Sequence, residues 1–352
     1  LCSDSPRVQD GDAYPMEASR HSVNLRIAML KRRPFGNTGL QVSELILGAG
    51  YVGGIVIHAD DETRRTLMRR LLEAGINWID TAESYGQGAS EEALGWLLAE
   101  LPEDNRPYIS TKFRLDTDRL DNIPGQIETS LKGSLDRLGL ERVDLYQLHN
   151  PFGQDGFDIE HVLGPGGVCD CLDKLKAQGL FDHIGFTALG NVGQCKRLIA
   201  SGRVESAQVY YNLLNPSAGR RMGRDWPTTN FDNLIADCQD HGVAVMNIRI
   251  FAGGALASPE PHGREAPITA NADVATEHAR AERLLTVLPG GQGSRAQSAV
   301  RFGLTHPGIS GVVLGLAELS HLEEALGAAA MGPMANDIIE GLQPFWDSGL
   351  AD

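Results

Sequence analysis

Gly48-Ala49-Gly50-Tyr51-Val52-Gly53 spells G-x-G-x-x-G directly after a short apolar run, and its reading decides the fold. In a doubly wound sheet this pattern works because a helix opens at the third glycine and takes a pyrophosphate on its N-terminus. Here Gly54-Ile55-Val56-Ile57-His58 follows, and helical patterning starts only near Asp60. The context that gives the fingerprint its meaning is missing. The stretch reads instead as a glycine-lined loop after a first strand.

Outward from that loop, one pattern repeats: an apolar run, a loop, then an amphipathic helix closed by glycine. Gly75 closes the helical segment 60–74 ahead of Ile76-Asn77-Trp78-Ile79, and Gly139, Gly179, Gly202 and Gly242 stand at the same junction further on. Glycine suits each junction because the left-handed turn after a helix costs it little. Strands are expected near 45–48, 76–79, 108–111, 143–148, 182–186, 206–209, 243–247 and 311–314. Eight strands alternating with helices, with no linker between them, predict one closed (β/α)8 TIM barrel rather than two domains. Residues 31–43 precede the first strand and contain Asn37-Thr38-Gly39, turn chemistry for an N-terminal β-hairpin that can plug the barrel floor. The Gly/Pro/Ala/His-rich stretch 252–276 reads as a long barrel loop. Residues 1–28 read as a flexible N-terminal extension, leaving 29–352 for the barrel.

The 352 residues are 42% hydrophobic and 22% charged, enough apolar material for a large core. Lys and Arg number 31 against 46 for Asp and Glu, a formal charge of −15. Such a surface repels phosphate backbones and anionic lipid, which argues against nucleic acid and membrane as partners. The five cysteines are few and odd in number, with no C-x-x-C, so they read as reduced thiols of a cytoplasmic protein. No H-x-x-x-H or H-x-H spacing supplies a metal site, and no G-x-S-x-G turn supplies a serine nucleophile. No amphipathic or basic docking segment stands outside the barrel pattern, and the sequence sets no oligomeric state.

Chemistry in such a barrel sits where strands end, at the C-terminal face. Strand two ends in Asp80, with Tyr85 in the loop behind it; strand three ends in Ser110-Thr111-Lys112, and strand four in Leu148-His149-Asn150. Singly, each has an ordinary role: a turn-capping aspartate, a half-buried ring, a rim lysine, a structural histidine. Together, at three consecutive strand ends, they make a proton-transfer site. A tyrosine is a poor acid or base at neutral pH, with an unperturbed pKa of about 10. A lysine ammonium beside it favours the phenolate, and an aspartate holds that lysine charged. The set suits proton transfer at an oxygen while a hydride moves at the attached carbon.

With these residues in place, the chain resembles the aldo-keto reductase superfamily from about residue 32 to 330. RPFGNTGLQVSELILG (33–48) looks like the family's opening hairpin and first strand, and IDTAESYG (79–86), STK and YQLHN look like its catalytic blocks. The resemblance implies Tyr85 as general acid/base, tuned by Lys112 and Asp80, with His149 positioning the substrate oxygen. It also implies a nicotinamide cofactor, NAD or NADP, extended across the barrel top. Gly48, Tyr51 and Asp80 would lie along it. Thr187 stands where many members have a Ser-Asn pair for the carboxamide, but Ala188 follows it; Gln208 matches the usual carboxamide partner. Ile248 replaces a tyrosine that many relatives stack on the nicotinamide, while Phe251 and Gly253 would follow the pyrophosphate. Gly315, Ala317, His321 and Glu324 match the adenosine side. Ala317 and Glu318 stand where NADP-preferring relatives often carry Arg or Lys, which favours NAD.

These departures are similar to the aldose 1-dehydrogenase branch, which includes L-fucose and L-galactose dehydrogenases and oxidises a sugar's anomeric hydroxyl to a lactone. Tyr85 and His149 would meet the substrate directly; Tyr51, Asn150, Phe152, Trp226 and Arg249 are the further candidates for a substrate site, each equally readable as a loop or core residue. The alternatives are an NADPH-driven reductase of aldehydes or ketones and a cofactor-binding regulatory subunit.

Overall fold

The computed structural model describes residues 30–223, 226–265 and 273–349. The extension expected at 1–28 lies outside the described residues.

The helix Asp61–Ala74 shows how the repeat folds. The Asp60 side chain accepts from the Thr63 N–H at 2.8 Å, which caps the first turn, and Asp61 and Glu62 add negative charge where the helix dipole favours it. Leu67, Met68, Leu71 and Ala74 bury one face. Each large side chain there contributes about 1.5–3 kcal/mol over its exposed state. Gly75 then turns left-handed at φ 82°, closing on the carbonyls of Leu71 and Leu72, and releases the chain toward the next strand.

The barrel expected from this pattern is the one observed. A hairpin, β1 (Arg32–Pro34) and β2 (Gln41–Ser43), precedes eight strands: β3 (Leu45–Gly48), β4 (Trp78–Asp80), β5 (Tyr108–Phe113), β6 (Val143–Leu148), β7 (Phe181–Thr187), β8 (Ser206–Tyr210), β9 (Ala244–Ile248) and β10 (Gly311–Gly315). All eight are parallel, and β10 pairs with both β9 and β3 to close the ring.

The hairpin seals the floor. Phe35 is fully buried and stacks on Trp78 with ring centroids 4.6 Å apart, in a cluster with Val42, Ile46, Leu145 and Met246. The Asn37 N–H donates to the Gly242 carbonyl at 2.9 Å, pinning the turn to the barrel's lower rim. Above this apolar floor the interior becomes polar: Ser110, Lys112, Gln147 and Gln208 are all buried near the strand ends. The site is therefore confined to the upper mouth.

Two local readings are revised. Residues Ile55–His58 form one helical turn with Gly54 at its N-cap (φ 77°), so a helix does follow the glycine loop. The turn is only four residues long, and the Ile55 N–H is taken by the Leu316 carbonyl at 3.0 Å. The stretch read as one long loop, 252–276, ends earlier, because the helix Val274–Val287 starts within it, capped by Asp273. Among the described residues no helix is long and apolar enough to cross a membrane. Cys169, Cys171, Cys195 and Cys238 are buried free thiols, and burial pushes those of Cys169 and Cys195 up to about 11 and about 12.

Candidate active site

Period-two alternation along β4 and β5 turns Asp80, Ser110 and Lys112 inward, and the register pairs Asp80 with Ser110. Lys112 is completely buried. Its ammonium donates to Asp80 Oδ2 at 2.6 Å, to the Thr81 carbonyl at 2.7 Å and to Tyr85 Oη at 3.1 Å, so all three N–H bonds are used. Burial alone would push this lysine down; the charges of Asp80 and Tyr85 and their hydrogen bonds outweigh it and raise it above its ordinary value. The Tyr85 ring is also held under the ammonium, with Nζ 4.6 Å from the centroid. The loop carrying Tyr85 is fixed beneath by Ser90, whose hydroxyl donates to the Ala49 carbonyl at 2.9 Å and lies 2.8 Å from Thr81 Oγ1.

The other Asp80 oxygen is held as firmly. Oδ1 accepts from Ser110 Oγ at 2.7 Å, from Gln208 Nε2 at 2.8 Å and from Gln147 Nε2 at 3.1 Å. The Trp78 indole donates to Ser110 Oγ at 2.9 Å, leaving the Ser110 hydroxyl proton for Asp80. Four strands thus converge on one carboxylate. These donors hold the carboxylate in place beside the buried lysine.

His149 follows β6, with its ring edge-on to Tyr85 at 5.9 Å between centroids. Burial, then the positive charges of Lys112 and Arg114, lower it to about 3. The imidazole is therefore neutral at physiological pH, able to donate from one nitrogen without carrying charge. Two results are expected. The pH–rate profile has no break near 6.5 arising from His149. The folded protein also loses stability as pH falls from about 6.5 toward 3, because the unfolded chain takes up a proton that the folded one refuses. Urea melts of wild type and His149→Gln across pH 4–8 check this: the variant should lose less stability on acidification, and parallel curves would contradict it.

These residues open into a cavity of about 610 Å³ at the barrel mouth. Tyr85, His149 and Asp80 line it, as do Gly48 and Tyr51 from the glycine loop. Thr187 and Gln208, adjacent across the β7–β8 pairing, line it beside Ile248, Phe251 and Gly253. Gly315, Ala317, His321 and Glu324 line the far end. Lys112 stands behind the wall, reaching the cavity through Tyr85. Asn150 and Trp226, taken from sequence as substrate contacts, are not brought to it. The Asn150 side chain is consumed by Leu115, accepting its N–H at 2.7 Å and donating to its carbonyl at 2.9 Å. Trp226 packs against the hydrophobic core, and Phe152 is buried in it. Sequence reasoning missed Arg264, which lines the cavity and donates to the Gly53 carbonyl at 3.2 Å. It lies in irregular chain after β9, where no periodicity assigns a side chain to a face.

Comparison with known proteins agrees with this fold. The aldo/keto reductase family model matches residues 44–344. The chain belongs to the aldo/keto reductase family. It is 27% identical to D-threo-aldose 1-dehydrogenase of Pseudomonas sp, over 63% of this chain and 70% of the relative. It is 26% identical to L-galactose dehydrogenase of Arabidopsis thaliana, over 85% and 88%. Human aflatoxin B1 aldehyde reductase member 4 matches at 26%, over 86% and 93%. Among solved structures, the holo form of an aldo-keto reductase of Bacillus halodurans shares the fold, with a TM-score of 0.69 at 22% identity over 92% of this chain and 97% of that one.

Members of the aldo/keto reductase family use nicotinamide cofactors, and the cavity fits one. Thr187 Oγ1 is buried in the wall with no partner of its own. With the neighbouring Gln208 amide it provides the mixed donor and acceptor set that a carboxamide needs. Ala188 is fully buried and adds no second side-chain bond there.

Proposed function

We propose that this aldo/keto reductase is an NAD(P)-dependent oxidoreductase that interconverts a hydroxyl and a carbonyl, and that it oxidises an aldose at its anomeric carbon to a lactone. One observation carries the reading: a tyrosine hydroxyl facing the cavity, 3.1 Å from a fully buried lysine that is itself 2.6 Å from a buried aspartate. A bound nicotinamide supplies the hydride acceptor in oxidation and the hydride donor in reduction. The side chains manage the rest. Tyr85 takes the proton of the substrate hydroxyl in oxidation and returns it to the carbonyl oxygen in reduction. Lys112 stabilises the phenolate that takes this proton in oxidation and that forms again in reduction, and Asp80 keeps Lys112 charged and in place. His149, neutral, donates to the same substrate oxygen and fixes its angle to Tyr85. Thr187 and Gln208 would hold the carboxamide, and Ile248 would pack the ring with less orientational preference than an aromatic.

The aldose reading is supported by likeness to two aldose dehydrogenases and by Thr187-Ala188 and Ile248 in the cofactor wall. NAD is favoured because Glu318, three residues before His321, opposes a dianionic 2′-phosphate, and Ala317 offers it no cation. Arg264 favours the second reading, an NADPH-dependent aldehyde reductase, since its guanidinium lines the same cavity. The test follows absorbance at 340 nm with NAD or NADP and a panel of aldoses, then with NADH or NADPH and simple aldehydes. Reduction of NAD by one aldose is expected. Consumption of NADPH by aldehydes alone would select the reductase, and silence in both directions with cofactor bound would overturn both.

A further inference from the structure

Two carboxylates that the proton-transfer chemistry does not use stand on either side of Tyr85 in the chain, Glu83 before it and Glu91 after it. Both make the same pair of attachments. Glu83 Oε1 accepts the Arg114 N–H at 3.1 Å, just past the end of β5, and Oε2 accepts from Ser130 Oγ at 2.5 Å. Glu91 Oε1 accepts from Thr111 Oγ1 on β5 at 2.5 Å, and Oε2 accepts from Arg137 Nε at 2.8 Å. Thr111 and Arg114 bracket Lys112 along β5 and its exit. Ser130 and Arg137 stand about two turns apart on one face of the helix Ile123–Leu138. Each carboxylate thus ties the Tyr85 segment both to the strand that carries Lys112 and to the helix behind it.

The Glu91 attachment is the deeper one. Glu91 is fully buried, and Arg137 Nη2 also reaches its Oε2, at 2.7 Å. Gly88, between Tyr85 and Glu91, caps the helix Ala89–Ala99 at φ 97°, and a Cβ on it would lie 2.7 Å from Arg137 Cδ. The glycine lets the arginine stem cross the loop at contact distance. Taking a carboxylate out of water is costly, and apolar side chains of similar volume often fill such a place with no loss of stability. What the ion pair adds is direction. One Glu91 oxygen faces Arg137 and the other faces Thr111, so the carboxylate has one way to sit.

We propose that Glu91 and Arg137, with Glu83 as a second strut, are positioning residues that hold Tyr85 at its working distance from Lys112. This rests on the oxidoreductase reading above and adds to it residues that do not line the cavity. The Tyr85 hydroxyl is 3.1 Å from the Lys112 ammonium, and the two groups come from different segments, a loop and a strand. Lys112 cannot follow a shift of Tyr85, because Asp80 and the Thr81 carbonyl also hold its ammonium. The separation is therefore set from outside the barrel, where Glu91 fastens the chain behind Tyr85 to Thr111, the residue next to Lys112. Without Arg137 the segment loses its tie to the helix, and the phenol is free to draw away from the ammonium.

The test compares wild type, Arg137→Met, Arg137→Lys and Leu198→Ala, the last a core truncation in the remote helix Val192–Ala200. Reduction of 4-nitrobenzaldehyde by NADH or NADPH is followed by loss of cofactor fluorescence, with cofactor Kd from a titration and Tm from thermal melts. Fluorine NMR of fluorotyrosine-labelled protein reads Tyr85 directly, its line assigned by its absence from Tyr85→Phe. Arg137→Met should lower kcat by about 10–100-fold, the scale on which a misplacement of about 1 Å costs rate, while KM and cofactor Kd stay within about threefold of wild type. Its Tyr85 line should shift or broaden. Arg137→Lys should restore part of kcat, having the charge without the planar fork. Leu198→Ala should lower Tm at least as far and keep kcat within about threefold. An unmoved Tyr85 line, or a kcat close to wild type in Arg137→Met, overturns the proposal. So does an equal loss of kcat in Leu198→Ala, which would make the effect one of stability, and so does a loss confined to KM or cofactor Kd. If wild type reduces no aldehyde with either cofactor, the oxidoreductase reading fails on that result, and the Tyr85 line still decides whether Arg137 positions the ring. If Arg137→Met does not fold, the double variant Glu91→Gln, Arg137→Met, which buries no charge, replaces it.

Discussion

Tyr85→Phe is expected to lower turnover by about 10²–10⁴-fold, the range lost when a positioned acid/base is removed. The substitution is close to a single-atom change here. The ring keeps its place under the Lys112 ammonium, 4.6 Å from its centroid, and its edge contact with His149 at 5.9 Å. Lys112 keeps the Asp80 carboxylate and the Thr81 carbonyl as acceptors and loses only the phenol oxygen. The nearby Ser110 hydroxyl is committed to Asp80. Thr187 and Gln208, the groups offered to the carboxamide, stand on β7 and β8, so the variant should bind cofactor with nearly the wild-type Kd. Turnover at 340 nm set beside a cofactor fluorescence titration reads both quantities. Activity within tenfold of wild type would remove Tyr85 from the chemistry, and a matching loss of cofactor affinity would make it a binding residue instead.

The sequence carried the barrel because each repeat unit declares itself locally. A capped helix, a glycine in the left-handed region and an apolar run recur, and the strands fall within two residues of the positions that the pattern marks. Strand ends are therefore legible, and with them the convergence of Asp80, Lys112 and His149. What an end residue does next depends on direction, which spacing does not encode. His149 and Asn150 are neighbours after β6, yet one ring faces the cavity while the other side chain folds back onto the Leu115 backbone. The donors on Asp80 Oδ1 are hidden for the same reason: Ser110, Gln147 and Gln208 stand on β5, β6 and β8 and meet only once the ring is closed. Arg264, in irregular chain after β9, has no periodic neighbours at all.

Lys112→Met is expected to destabilise the fold by about 3–5 kcal/mol, the range measured when one partner of a buried ion pair is removed. The charge on Asp80 would remain inside the barrel with Oδ1 still served by three donors and Oδ2 by none, and the Thr81 carbonyl would also lose its partner. The double variant Lys112→Met, Asp80→Asn should recover much of that loss, because it buries no charge and keeps the side-chain volumes close. Neither variant should turn over, since both lack the ammonium beside Tyr85. Urea melts near neutral pH measure the stability of all three proteins. A single variant as stable as wild type would show that the pair adds nothing to the fold. The pH dependence gives a second check with a fixed sign. Lys112 is raised above 10.5 in the folded chain, so its contribution is present in full below that value and is lost as pH climbs through the raised one. The gap between wild type and Lys112→Met should therefore be constant near neutrality and close only in strong alkali. Restored stability without restored turnover in the double variant would separate the two roles of the lysine, as counter-charge to Asp80 and as the group that makes Tyr85 reactive.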